Sequence, residues 1–178
     1  MNIGFWDNQL SERGTTTSLY DYAYFNEKIL NNKSFIFYDK NHQSSENSKV
    51  VEKFNKHFTV HGVDNFNEVD NYIEKYNITH IYIIKYGTID NRISKKAKNC
   101  IHCVFDCSQP HGDVYASVSP FVKNNNNKYP VVPHMINLPN HDKNLRNKLN
   151  IPDNAIVFGG YGGRESFSII SVQKLVYE

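Results

Sequence analysis

Arg13, Gly14 and Thr15 follow one another in a loop, residues 11–17, whose chemistry suits an anion held close to the backbone. Gly14 admits close approach, Thr15, Thr16 and Thr17 bring hydroxyls and the free N–H groups of a helix start, and Arg13 can pair with negative charge. The same residues also read as a helix N-cap beside a surface arginine. A second loop, Gly159-Gly160-Tyr161-Gly162-Gly163-Arg164, repeats the theme, since the N–H groups of Gly162 and Gly163 together with Arg164 suit a diphosphate. A flexible surface turn is its other reading. Its spacing matches neither a Walker A loop, because no Gly-Lys-Ser/Thr follows, nor the G-x-G-x-x-G of a dinucleotide fold.

His111 lies in Gln109-Pro110-His111-Gly112-Asp113, where an imidazole can bond a sugar hydroxyl, a developing charge or its own backbone. Lys85 and Gly87 follow the apolar run Ile81-Tyr82-Ile83-Ile84 and share the same kind of position with fewer supporting neighbours. Cys100, His102, Cys103, Cys107 and His111 crowd together as soft and borderline metal ligands. A strand through Cys100 and Cys103 points them to opposite faces among Ile101, Val104 and Phe105, which predicts reduced, partly buried thiols and no metal site. No paired carboxylates and no Ser-His-Asp set assemble.

These loops need a scaffold that gathers them at one edge. Apolar runs and amphipathic stretches alternate from the first residue, which predicts an α/β fold: a Rossmann-like, mostly parallel sheet with flanking helices. Strands are expected over 2–6, 34–38, 58–63, 81–84 and 100–106. Helices are expected over 15–30, with Leu19, Tyr22, Ala23, Asn26, Ile29 and Leu30 on one face, and over 48–56. A third helix begins near Asn65, where Asn65 and Glu68 form a candidate capping box and Phe66, Val69, Ile73 and Tyr76 make a one-sided stripe. A basic helix or turn over 92–98 leads into the strand over 100–106. All six prolines fall between Pro110 and Pro152, so 108–151 reads as punctuated, with short strands over 115–119 and 131–135. Past Pro139 the rhythm restarts with a short helix over 142–150, a strand over 155–158, the glycine-rich turn and a helical stretch over 165–178. The expected organisation is a first domain over 1–140, then a linker with the first strand and helix of a second Rossmann-like domain over 141–178. Ligands of such sheets sit at the carboxyl ends of the strands, which groups the loops carrying Gly14, Lys85 and His111.

With 178 residues, 39% of them hydrophobic, the chain can bury a core without disulfides or metal. It contains no apolar run near the length of about 18 residues that a membrane span requires. Lys and Arg number 20 against 18 Asp and Glu, spread without a basic block, which argues against a nucleic-acid partner. Three cysteines within eight residues suit a reducing compartment better than a disulfide framework, and the N-terminus has no secretory pattern, so an intracellular, cytoplasmic protein is expected.

Four stretches carry a family likeness: Asn2-Ile3-Gly4-Phe5-Trp6-Asp7-Asn8-Gln9-Leu10-Ser11-Glu12-Arg13-Gly14-Thr15; Leu19-Tyr20-Asp21-Tyr22-Ala23; the run from Gln109-Pro110-His111-Gly112-Asp113 to Val118-Ser119-Pro120; and Tyr129-Pro130-Val131-Val132-Pro133-His134-Met135-Ile136. Together they resemble the amino-terminal half of GT-B glycosyltransferases, a group with members in large DNA viruses and bacteria. The resemblance implies two Rossmann-like domains facing across a cleft, with the acceptor mainly on the first and the nucleotide-sugar mainly on the second. It implies that Gly14 and its loop face the donor phosphates and reacting sugar with Arg13 and Thr15 beside them, and that His111 is the loop histidine contacting the donor sugar. The family usually places Arg directly after the glycine that ends the first strand of the second domain; that position is Gly160 here, and Arg164 stands four residues on. The carboxylate-bearing donor segment lies further along the second domain than these residues reach.

The activity so implied is transfer of a hexose from a nucleotide-sugar, UDP- or GDP-linked, to a glycan or other hydroxyl acceptor, with no obligatory metal. The alternatives are a non-catalytic carbohydrate- or partner-binding module that keeps the acceptor cleft, and a thiol-based metal or redox protein using Cys100, Cys103 and Cys107.

Overall fold

A computed structural model of the protein describes residues 1–43, 48–122, 128–138, 144–157 and 174. The chain divides into two compact units, Met1–Leu138 and Pro139–Glu178. The first holds a six-stranded sheet, all parallel: β1 (Asn2–Asp7), β2 (Lys33–Asp39), β3 (Thr59–Val63), β4 (His80–Lys85), β5 (Lys98–Cys103) and β6 (Val114–Ser117), in the spatial order β3-β2-β1-β4-β5-β6. The expected Rossmann-like α/β fold is therefore what the chain forms.

Both faces of the sheet are apolar because successive side chains alternate and each face is covered by helices. On one face α1 (Gly14–Lys28) and α2 (Ser48–Asn55) enclose Phe5, Leu10, Leu19, Ala23, Ile36, Phe54 and Ile84. On the other, α3 (Val69–Lys75) closes over Trp6, Phe35, Phe37, Ile81, Ile83 and Ile101. Trp6 meets Phe66 edge to face at 4.9 Å between ring centroids. The helix expected near Asn65 starts as a 3-10 turn, Phe66–Glu68, with the Asn65 side chain accepting from the Asn67 amide. Glu68 reaches back to the Asp64 amide and the Asn65 side chain, a displaced form of the capping box.

The α1 stripe ends earlier than its spacing suggests. Ile29 and Leu30 are 66% and 64% exposed, because the helix stops at Lys28 and the chain turns through Asn31 at φ 52°. The buried part of α1 is held partly by polar groups: Asn26 donates to the Ser34 hydroxyl, which donates to the Ala23 carbonyl.

The connections β4–β5 and β5–β6 contain no helix. Residues 92–97 take the turn rather than the helix, since the Ser94 hydroxyl and the Asn99 amide bond the local backbone in place of helical partners. The strand expected through 106 ends at Cys103, where the amides of Val104, Phe105 and Asp106 fold back onto the carbonyls of Lys85 and Tyr86. Of the strand expected over 131–135 only a bridge between Ser117 and Val131 forms, because Pro133 offers no N–H to extend it. Those residues instead cover α1 and β5: Tyr22 donates to the Pro133 carbonyl at 2.6 Å, the His102 ring to the Val132 carbonyl at 2.8 Å, and the Asn137 amide to Asp21 at 2.8 Å.

In the second unit, residues 146–150 form hydrogen-bonded turns rather than the expected helix, closed by Arg146 bonding the carbonyls of Pro152 and Ala155. Residues 155–157 carry no strand, having no neighbour to pair with among the described residues. The glycine-rich turn with Gly162, Gly163 and Arg164, and the helical stretch over 165–178 apart from helical Lys174, lie outside the described residues. No helix among the described residues is long and apolar enough to cross a membrane.

Candidate functional site

From β1 the chain runs outward through β2 to β3, then crosses back to β4 and runs the other way to β6. The carboxyl ends of β1 and β4 therefore diverge at a topological switch point, where open α/β sheets leave a crevice for ligands. A cavity of about 260 Å³ lies there, walled by Trp6, Asp7, Arg13 and Thr15 on one side and by Lys85, Tyr86, Asp90, Arg92 and Phe105 on the other.

The first wall is built around Asp7, the last residue of β1, which is 1% exposed. Arg13 donates through Nη2 to Asp7 Oδ1 and, at 2.5 Å, to Asn8 Oδ1, while the Thr16 hydroxyl donates to Asp7 Oδ2 at 2.9 Å. Burial pushes the Asp7 carboxyl above its ordinary value, and Arg13 and Thr16 pull against that shift. Helix α1 begins here with no side-chain cap and no acidic residue in its first turn, and the buried Thr15 hydroxyl has no partner. The uncapped helix start is open to an added acceptor.

The second wall centres on Lys85, whose side chain is 4% exposed at the end of β4. Its ammonium donates to Asp90 Oδ1 at 2.5 Å and to His111 Nε2 at 3.2 Å. Burial pushes Lys85 below its ordinary value while Asp90 holds it up. Burial raises the Asp90 carboxyl, but Lys85, Arg92 and the Arg92 amide outweigh it and the net shift is downward. His111 Nδ1 lies 2.7 Å from the Gln109 carbonyl, which can only accept, so the proton sits on Nδ1 and the Nε2 lone pair faces Lys85. At the mouth, Tyr86 and Phe105 lie tilted with centroids 5.4 Å apart and are 61% and 66% exposed, an aromatic surface beside a polar floor.

Of the residues singled out from sequence, Arg13, Thr15 and Lys85 line this one cavity and His111 is joined to it through Lys85. Gly14 stands between two lining residues, exposed, with no atom within 4 Å of where a Cβ would sit. Comparison with protein-family models, with curated proteins and with solved structures found no match. The site therefore rests on its own geometry.

Sequence reading passed over Asp7, Asp90 and Arg92 as site residues, and the Tyr86–Phe105 pair. Their common signal was position, at or just past the carboxyl end of β1, β4 or β5. The cysteine and histidine cluster is dispersed: Cys100 and His102 lie on the α1 face, Cys103 and Cys107 in the opposite core, and His111 at the loop edge. Among the described residues no three His, Cys, Asp or Glu side chains are grouped to hold a metal ion.

Proposed function

We propose that this chain is the acceptor-side half of a hexosyltransferase of GT-B type, which moves a hexose from a UDP- or GDP-sugar to a glycan or other hydroxyl acceptor. The observation that carries the reading is the meeting of Arg13, Thr15 and Lys85 in the crevice between β1 and β4, with His111 hydrogen-bonded to Lys85. The family resemblance of the residues around Gly14 and His111 supports it independently.

In this reading the start of α1 and Arg13 receive negative charge on the departing diphosphate, and fixed donors of that kind stabilise a transition state without reorganising. Lys85 and His111 orient a sugar hydroxyl, the ammonium donating and the imidazole Nε2 accepting once Lys85 turns to the ligand. Alignment of donor and acceptor across the cleft supplies much of the remaining rate.

A second reading, a non-catalytic carbohydrate-binding module, is favoured by two features: Asp7 and Asp90 already pair with Arg13 and Lys85, and the exposed Tyr86–Phe105 pair suits the apolar face of a sugar ring. Titration of isotope-labelled protein with UDP- and GDP-hexoses, free nucleotides and oligosaccharides separates the two. Shifts at Arg13, Thr15, Lys85 and His111 with a nucleotide-sugar, weakening as salt rises, support the transferase half. Salt-insensitive binding of free glycan alone supports the module, and no binding of either ligand refutes both.

A further inference from the structure

We infer that Cys103 and Cys107 form a reversible intramolecular disulfide that staples one wall of the pocket. Cys103 ends β5, and Cys107 follows the turn in which Val104, Phe105 and Asp106 fold back onto Lys85 and Tyr86. That turn returns the two sulfurs to 2.8 Å from each other. The spacing is inside the contact distance of unbonded sulfurs and approaches the bond length of about 2.05 Å.

Both thiols are buried in the core under α3, and the third cysteine cannot compete, because Cys100 lies three residues back on β5 and faces the other side of the sheet. The groups around the pair are carbonyls and phenols: the Cys103 thiol lies 3.5 Å from the Tyr86 carbonyl, and Tyr129 donates to the Cys107 carbonyl at 3.2 Å. Such neighbours do not complete a metal site. The turn is closely set as well, since a Cβ on Gly87 would stand 2.5 Å from Cys103 Sγ and 1.9 Å from the Asp106 carbonyl oxygen.

Oxidation breaks both S–H bonds and makes one S–S bond, releasing two protons and two electrons. Hydrogen peroxide accepts them and becomes two waters. Burial pushes the Cys103 thiol up to about 12. Thiolate is then scarce at neutral pH, so the reaction is slow there and quickens as pH rises. The ring so closed contains Val104 and Phe105, both of which line the pocket, and it fixes the Phe105 ring beside Tyr86.

The test treats native protein with hydrogen peroxide, alkylates remaining free thiols under denaturing conditions and maps the peptides by mass spectrometry, with a Cys100→Ser variant alongside. A Cys103–Cys107 crosslink in both proteins, reversed by a dithiol reductant and accompanied by shifts of the Val104 and Phe105 amide signals, is the expected result. Three free thiols after prolonged exposure, oxidation to sulfinic acids, a link through Cys100 or between chains, or a crosslink that leaves those amide signals unmoved would overturn the inference.

Discussion

At the scale of single residues the site is a set of charges that satisfy one another before any ligand arrives. Arg13 rests on Asp7 and Asn8, and Lys85 lies between Asp90 and His111. Gly14 is the residue here whose side chain can be enlarged without touching the fold, because nothing lies within 4 Å of its Cβ direction. Gly14→Leu should therefore leave stability within about 0.5 kcal/mol of the parent, as surface changes usually do, while lowering nucleotide-sugar affinity at least several-fold. Urea unfolding checks the first half and calorimetric titration the second. Unchanged affinity in a stable variant would remove the loop from the site. The residue types of Arg13, Gly14, Lys85 and His111 and their shared edge of the sheet were legible, but the direct bond between Lys85 and His111 was not, since the two are 26 positions apart and meet only through the sheet.

At the scale of elements, the second wall of the crevice depends on two turns that replace helices. Gly87 has φ +133° and leaves no room for a Cβ against the Asp106 carbonyl, and Tyr115 donates to the Gly87 carbonyl at 3.2 Å. Gly87→Ala is expected to cost about 2–4 kcal/mol, combining backbone strain with overpacking. Chemical denaturation reads that loss, and a loss below 1 kcal/mol, smaller than either source alone is expected to impose, would show that the turn can relax. Hydrophobic patterning located all six strands in sequence, most clearly β4, because a central strand buried on both faces leaves an apolar run. The turn after β4 left no comparable trace: its order comes from Ser94 and Asn99 bonding the backbone, and side chains of that kind serve turns and helix ends alike.

For the molecule as a whole, the α1 face over β5 is closed by residues 128–138, and His102 is the centre of that closure. The ring is 2% exposed, bonds the Tyr82 hydroxyl at 2.6 Å through Nδ1 and donates from Nε2 to the Val132 carbonyl. Burial, with His134 beside it, lowers its pKa from 6.5 to about 4. The unfolded chain then binds a proton on this group that the folded one refuses, so its contribution to stability is complete above pH 6.5 and is lost as pH falls toward 4. The loss attributable to this group is on the order of 3 kcal/mol. Melting temperature measured across that window should fall with acidification, and the His102 ring signals in an NMR titration should stay those of the neutral form until near pH 4. A His102 that titrates close to 6.5 would contradict the closure.

What the sequence determined by itself is the local part of this protein: which runs become strands, that both faces of the sheet are apolar, where α1 and the helix after Asn65 begin, and which loops carry cations, glycine and histidine. Those features depend on the periodicity of neighbouring residues and on the chemistry of individual side chains. Tertiary structure alone decided that β4 is laid down beside β1 after β3, so that strand order reverses there, and so where the crevice lies. It also decided that Asp7 and Asp90 oppose the cations there, that Ile29 and Leu30 leave the helix, and that the thiols of Cys103 and Cys107 meet while Cys100 is turned away. Each of these is a pairing across the sheet or around a turn, set by packing and hydrogen bonds between distant segments, and short-range pattern carries no record of such pairings.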